Sequence, residues 1–289
     1  MRLGGKSSAV KIIMNTKTSF IGSWLVSEYL YTPAGEYVGV IHQRRQLIPK
    51  DDIIRVMQHC EPVKANANLS EHAKNTLEIM NKRVGEFVFD LKLVGKARHY
   101  LGEDVIGGGF SWRDGILTAR GLWPRFGYNF TSFSILLNPT RQVTGGKFFI
   151  ANQEVATIVG AAVPESEGYP ELMDTRISGN YKGERFSISP DGELLETMQI
   201  TANETTFTDK DGMRGNEKKY GALTEIETVD APGQTTSAIE VVDNASGSIA
   251  GIWKTFRDEK LSRVQVCILT ADNRPQTSVS GLLPIVKEK

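Results

Sequence analysis

The sequence of 289 residues predicts an all-β chain, two antiparallel meander barrels in tandem with one short helix in the first. Three observations carry this expectation. The stretch Gly22 to Glu36 returns, degraded, as Gly179 to Glu193: at one constant offset Trp24 matches Tyr181, Tyr29 matches Phe186, Pro33 matches Pro190 and Gly35 matches Gly192. A repeat that recurs after about half the chain implies two similar domains rather than a solenoid of short units. From Phe20 onward, short alternating segments rich in Val, Ile, Phe, Tyr and Thr are separated by Gly, Pro, Asn and Asp, the pattern of strands joined by turns. About eight such segments per half suit closed barrels, because closure removes the edges that an open sheet would expose.

Taken in order, residues 1–17 read as a loose leader, 18–163 as the first barrel, 164–175 as a linker rich in acids and prolines, and 176–289 as the second barrel. Each copy of the repeat reads as a strand, a Pro-x-Gly turn and a second strand, since Pro presets φ and Gly supplies the positive φ that other residues resist. Further strands of the first half are expected near Tyr37–Leu47, Ile53–His59, Glu86–Tyr100, Val105–Trp112, Ile116–Leu122, Asn129–Leu137, Val143–Ile150 and Val155–Ala162. One helix interrupts them. Ser70 is a candidate N-cap, and Ala73, Leu77 and Met80 share one face at helical spacing, so the helix lids or flanks the sheet. In the second half, strands are expected near Ile177–Ile188, Leu194–Ala202, Thr205–Thr208, Ala222–Val229, Thr235–Val242, Ser248–Phe256, Leu261–Leu269 and Thr277–Ile285, with Thr208–Tyr220 as a charged loop.

Composition excludes several classes of function. Lys plus Arg (34) balance Asp plus Glu (34) with no long run of either sign, which disfavours nucleic acid and anionic membranes as partners. No apolar stretch is long enough to span a bilayer as a helix. The two cysteines, one in each half, form neither a disulfide framework nor a metal spacing, and point to a reducing, cytoplasmic setting. The four histidines all lie in the first half without a metal-like cluster, and no nucleophile elbow, phosphate loop or dinucleotide fingerprint occurs. Chemistry, if present, is expected to need no cofactor.

Strand alternation singles out the candidate site residues. If Phe87 to His99 is one regular strand, His99 points inward with Phe87, Phe89, Leu91 and Leu93, where desolvation would keep its imidazole neutral. The alternative is a core or rim histidine. Glu28 shares a face with Trp24 and Val26 and needs a partner once buried, which Arg44 or Arg45 can supply because adjacent residues point opposite ways. That pair is either a structural salt bridge or part of a catalytic set. Trp112, Arg120, Trp123, Arg125 and Tyr128 crowd Gly-rich turns in the mixture expected of a pocket mouth, or of well-packed hairpin turns.

Gly22-Ser23-Trp24 near the start of a strand meander resembles the first motif of the calycin superfamily, the lipocalin-like barrels, in which the Trp plugs the closed end. Gly179-Asn180-Tyr181 is a weaker echo. The tandem layout is similar to that of the two-barrel members, which include carotenoid hydratases, tocopherol cyclases and some natural-product cyclases. Val155 to Ala162 departs from the family pattern in lacking the Arg that packs on the Trp, a part Arg263 could play in the second barrel. The resemblance implies a barrel enclosing a hydrophobic small molecule, isoprenoid or polyketide-like. On that basis the expected activity is a cofactor-free acid/base isomerase, cyclase or hydratase. His99 would be the base, Glu28 or Tyr100 the proton donor and one of Arg45, Arg120 and Arg125 the oxyanion holder, with Trp24, Trp112, Trp123 and Tyr128 as walls. A non-catalytic carrier and a structural docking protein are the alternatives.

Overall fold

The structure, a computed structural model, describes residues 20–172, 179–202 and 216–272. The chain is all-β with one α-helix among the described residues. Its first unit runs β1 (Gly22–Tyr31), β2 (Tyr37–Lys50), β3 (Ile53–Cys60), the two-residue β4 (Lys64–Ala65), α1 (Glu71–Asn81), β5 (Gly85–Val94), β6 (Ala97–Leu101), β7 (Ile106–Arg113), β8 (Ile116–Trp123), β9 (Tyr128–Asn138), β10 (Arg141–Ile150) and β11 (Gln153–Pro164). Successive strands pair antiparallel, and β1 joins both β11 and β2, so ten strands close a barrel with β4 appended to β2. Closure leaves no free edge in those ten strands.

The second unit comprises β12 (Tyr181–Ile188), β13 (Leu194–Ala202), β14 (Asn216–Tyr220), β15 (Leu223–Ala231), β16 (Gln234–Asp243), β17 (Ser248–Arg257) and β18 (Lys260–Ala271). Its seven strands form one sheet in the order β13-β12-β18-β17-β16-β15-β14, with β13 and β14 at its ends among the described residues. The strands expected at 205–208 and 277–285, like the leader 1–17, lie outside the described residues. Residues 216–220, assigned to a charged loop by composition, are β14. The segment given to a linker begins with the end of β11 at Pro164 and a single 3-10 turn, Glu165–Glu167.

The sequence repeat is visible as a repeated backbone. After β1, Thr32 N donates to Glu36 O at 2.9 Å and Gly35 N to Thr32 O at 2.9 Å; after β12, Ser189 N donates to Glu193 O at 2.8 Å and Gly192 N to Ser189 O at 2.9 Å. In both copies the hydroxyl at the first turn position also accepts from the Glu amide, at 3.1 Å in one and 2.9 Å in the other. Gly35 and Gly192 hold φ of 92° and 87°, a region that glycine enters without the Cβ penalty other residues carry. Strand β12 pairs with β18 and β13 as β1 pairs with β11 and β2.

The two units share a core. One hydrophobic cluster joins Tyr31, Phe133, Ile135 and Val143 on the outer face of the barrel to Phe186, Leu223, Val241, Ile252 and Val266 on the facing side of the second sheet. At its margin Arg141 makes a two-pronged contact with Asp243, Nε to Oδ2 at 2.9 Å and Nη2 to Oδ1 at 2.7 Å, and also donates to the Glu171 carbonyl. Asp243 is 1% exposed, so removing its cation strands a buried charge. Arg141→Met is expected to lower stability by about 3–5 kcal/mol. Urea unfolding followed by circular dichroism measures this, and a loss below about 1 kcal/mol would show that the pair lies in effect at the surface.

Candidate ligand-binding site

Alternation around the closed barrel assigns each side chain to one face. Register carries the inward phase from Trp24, Val26 and Glu28 to Arg45, Gln43 and Ile41 on β2, and on to Gln58 and Cys60 on β3. Glu28 is therefore interior, at 3% exposure. Arg45 is the inward member of the Arg44–Arg45 pair, 3.6 Å from Glu28 Oε1, while Arg44 points out to Glu165. Gln43 donates to Glu28 Oε2, and the Gln43 carbonyl oxygen accepts from Gln58 at 2.8 Å and from Arg45 at 3.2 Å. Glu28 Oε2 and the Gln43 side-chain oxygen thereby each meet a donor, as buried polar groups require.

The principal partner of Glu28 was not legible from strand alternation. Arg83 lies just beyond α1, and its Nη2 sits 2.5 Å from Glu28 Oε2 with both side chains only 4% exposed. Ser70 caps the helix by accepting from Ala73 N at 3.1 Å, and Ala73 and Met80 are buried against the barrel end, as the helical spacing predicts. Docking that face carries Arg83 into the interior, where it also covers the Phe148 ring at 5.2 Å. Burial pulls the Arg83 guanidinium down, but Glu28, with Cys60 and Tyr128, outweighs it and leaves the group more firmly cationic than usual. The signal that could have found it is the demand of an interior carboxylate for a cation, combined with the first Arg after an amphipathic helix.

Between this cluster and the opposite wall lies a cavity of about 150 Å³, bordered by Phe20, Arg98, Tyr100, Leu117, Trp123 and Phe130. Four charged side chains line it: Glu28, Arg45, Arg83 and Arg98. Arg98 donates from Nε to Ser111 Oγ at 2.7 Å and lies 5.6 Å over the Phe20 ring. Among the described residues no carboxylate is within ion-pairing distance of it, and burial depresses its guanidinium below the ordinary range. Burial raises the Tyr100 phenol, with Arg98 and Arg45 opposing, and raises Tyr128 strongly. The Tyr128 hydroxyl is buried without a hydrogen-bond partner among the described residues.

The residues singled out from sequence divide between two places. Trp24, Glu28, Arg45, Tyr100, Trp123 and Tyr128 face the barrel interior, with Trp24 packed among Leu47, Ile54 and Leu91 and donating to Phe20 O at 3.0 Å. Arg125 sits on a 3-10 turn beside the interior, 6.0 Å from the Phe87 ring and 3.9 Å from Asp104. His99, Trp112 and Arg120 lie on the outer wall and border a separate cleft against the second sheet. The expected inward His99 is thus corrected: Glu86 to Tyr100 is not one strand but the hairpin β5–β6. Its two-residue turn places Gly95 at φ 58° and pairs Val94 with Ala97. The turn resets the phase, so Arg98 and Tyr100 point in and His99 is exposed.

Closed and antiparallel, this unit is a ten-stranded β-barrel that carries Gly-x-Trp on its first strand. No known protein family matches the sequence, and no curated protein does. Among solved structures, a protein of unknown function of the DUF3598 family from Nostoc punctiforme superposes with a TM-score of 0.51 at 11% identity, covering 92% of this chain and 100% of that one. At that identity the likeness is one of fold, and it extends over both units. An S-type phycobiliprotein lyase from Guillardia theta (TM-score 0.37, 11% identity, 54% of this chain and 93% of that one) is a looser likeness. Kievitone hydratase from Nectria haematococca (TM-score 0.20, 10% identity, 88% and 90%) is looser still. Likeness at that level establishes neither activity nor ligand.

Two measurements test the interior. Arg83→Met is expected to cost about 3 kcal/mol because it removes the principal cation of Glu28 and leaves only Arg45 at 3.6 Å, and adding Glu28→Gln should restore more than about 1 kcal/mol of it in a double-mutant cycle. Additive losses would mean that the pair does not interact. Cys60 and Cys267 are free and buried, which raises both thiols, Cys267 to about 12. At a pKa of about 12, roughly one Cys267 thiol in ten thousand is ionised at pH 8, and burial holds Cys60 in its protonated form in the same direction. Iodoacetamide should therefore label neither cysteine in the native protein and both in urea, as read by intact mass.

Proposed function

We propose that the barrel is a binding site for a small, largely apolar molecule bearing one anionic group, a carboxylate or phenolate. The observation that supports this reading is the charge of the cavity wall, three arginines against one glutamate, with that glutamate already held by Arg83. Arg98 is the wall cation with no ion-paired carboxylate among the described residues, Asp114 acting on it only at longer range, and it is backed by aromatic walls on which an apolar body can pack. A cavity of about 150 Å³ accommodates a single ring or a short branched chain rather than an extended isoprenoid. The two free thiols fit a reducing, cytoplasmic compartment.

Binding is favoured over the acid/base isomerase, cyclase or hydratase reading. The proposed base, His99, is on the outer face of the barrel. Glu28 is engaged by Arg83 and Gln43 at Oε2 and faces Arg45 at Oε1, an arrangement that anchors the interior cations. Tyr100 borders the cavity, but burial makes it a weaker acid than usual.

Isothermal titration calorimetry with benzoate and cinnamate against benzyl and cinnamyl alcohol tests the proposal. The acids are expected to bind at least tenfold more tightly than their matched alcohols, about 1.4 kcal/mol. Arg98→Met should remove that preference, whereas His99→Gln should leave it intact. Equal affinity for acid and alcohol, or a preference that survives Arg98→Met, would overturn it.

A further inference from the structure

A cavity larger than the one inside the barrel lies outside it. A cleft of about 810 Å³ separates the outer wall of β6 to β10 from the facing side of β15 to β18. Phe110 and Trp112, with ring centroids 4.6 Å apart, form part of one wall, and Ile239, Ile252 and Leu261 part of the other. Its volume is in the range of sites for drug-sized molecules. Two lysines border it, and their surroundings differ. Lys147 is neutralised by Glu225 at 2.7 Å and Glu154 at 3.0 Å. Lys254 has no carboxylate or hydrogen-bond partner among the described residues. On the sheet Ser237 pairs with Lys254 on one side and Glu227 on the other, so the nearest acid in that row is two strands away.

From this arrangement we infer that Lys254 is a covalent capture site for an apolar aldehyde or ketone bound in the cleft. The ε-amino nitrogen adds to the carbonyl carbon, forming a C–N bond and a carbinolamine. Loss of water, made of the carbonyl oxygen and the two amine hydrogens, leaves the imine. The step needs no oxidant or reductant. It requires the amine in its neutral form, and burial shifts Lys254 in that direction, with its ammonium held below the ordinary lysine range. The aromatic and aliphatic walls supply the affinity that would hold a carbonyl compound beside the nitrogen, and pairing with acids removes Lys147 from competition. This site is separate from the barrel cavity and does not depend on the reading proposed for it.

Naphthaldehyde with sodium cyanoborohydride at neutral pH, followed by intact mass and peptide mapping of the full chain, tests the inference. At limiting aldehyde the expected result is one reduced adduct, mapped to Lys254 and absent in Lys254→Met. Ile239→Trp keeps the amine but fills the cleft, and should cut the yield at Lys254 at least tenfold. Labelling spread over the exposed lysines with no excess at Lys254 would overturn the inference, as would an adduct that Ile239→Trp leaves undiminished. The wild-type map decides the first point even if a variant fails to fold.

Discussion

A carboxylate at the centre of a closed barrel dictates much of this structure. Glu28 cannot be taken out of water without a cation, and the one that meets it most closely comes from outside the strand ladder. For Arg83 to reach the interior, α1 must be capped, formed and seated on the barrel end. Thr76 Oγ1 helps by donating to the Val155 carbonyl at 3.1 Å, and the Glu36 carboxylate accepts from both the amide and the hydroxyl of the capping Ser70. Helix docking, strand register and interior electrostatics are therefore one problem. Slipping β2 by one residue would turn Arg45 and Gln43 outward and Arg44 and His42 inward, removing the amide that Glu28 and Arg45 share.

The same interior explains why the barrel is not simply filled. Three arginines cannot pack into a dry core as hydrocarbons do, and their guanidinium planes lie over Phe20 and Phe148 or against glutamine and serine oxygens. The space left between these polar heads and the aromatic walls is small and positively charged. The cleft outside is larger, contains acids as well as bases, and is built from residues of two units. The protein thus carries two cavities of different chemistry separated by one sheet.

Much of the fold was legible in the sequence because it is written in short-range signals. Period-two alternation put Glu28 and one of two adjacent arginines inside, and the duplicated Pro-x-Gly turn marked the start of each unit. The helix was legible for the same reason, through a cap and a spacing. Failure came where information is non-local or where phase is reset. His99 was misplaced because a glycine turn inside an otherwise continuous apolar run reverses the chain and shifts which parity faces in. Arg83 was missed because no periodicity connects it to the strand it neutralises. Gln43 and Gln58 lay on the correct phase, but an uncharged amide in an alternating strand gives no sign that it bridges ionised groups.

The duplicated turn makes the molecule its own matched pair. Gly35 and Gly192 share a backbone conformation and a hydrogen-bond pattern, yet their surroundings differ. A methyl group at the first would approach a backbone oxygen of Lys219 at 3.0 Å, whereas at the second it would press on the side chains of Lys96 and Phe110 at 2.8 Å. One chain therefore contains the same local geometry in two environments, so the difference between equivalent substitutions reports how far neighbours can yield, with the intrinsic preference of the turn cancelled.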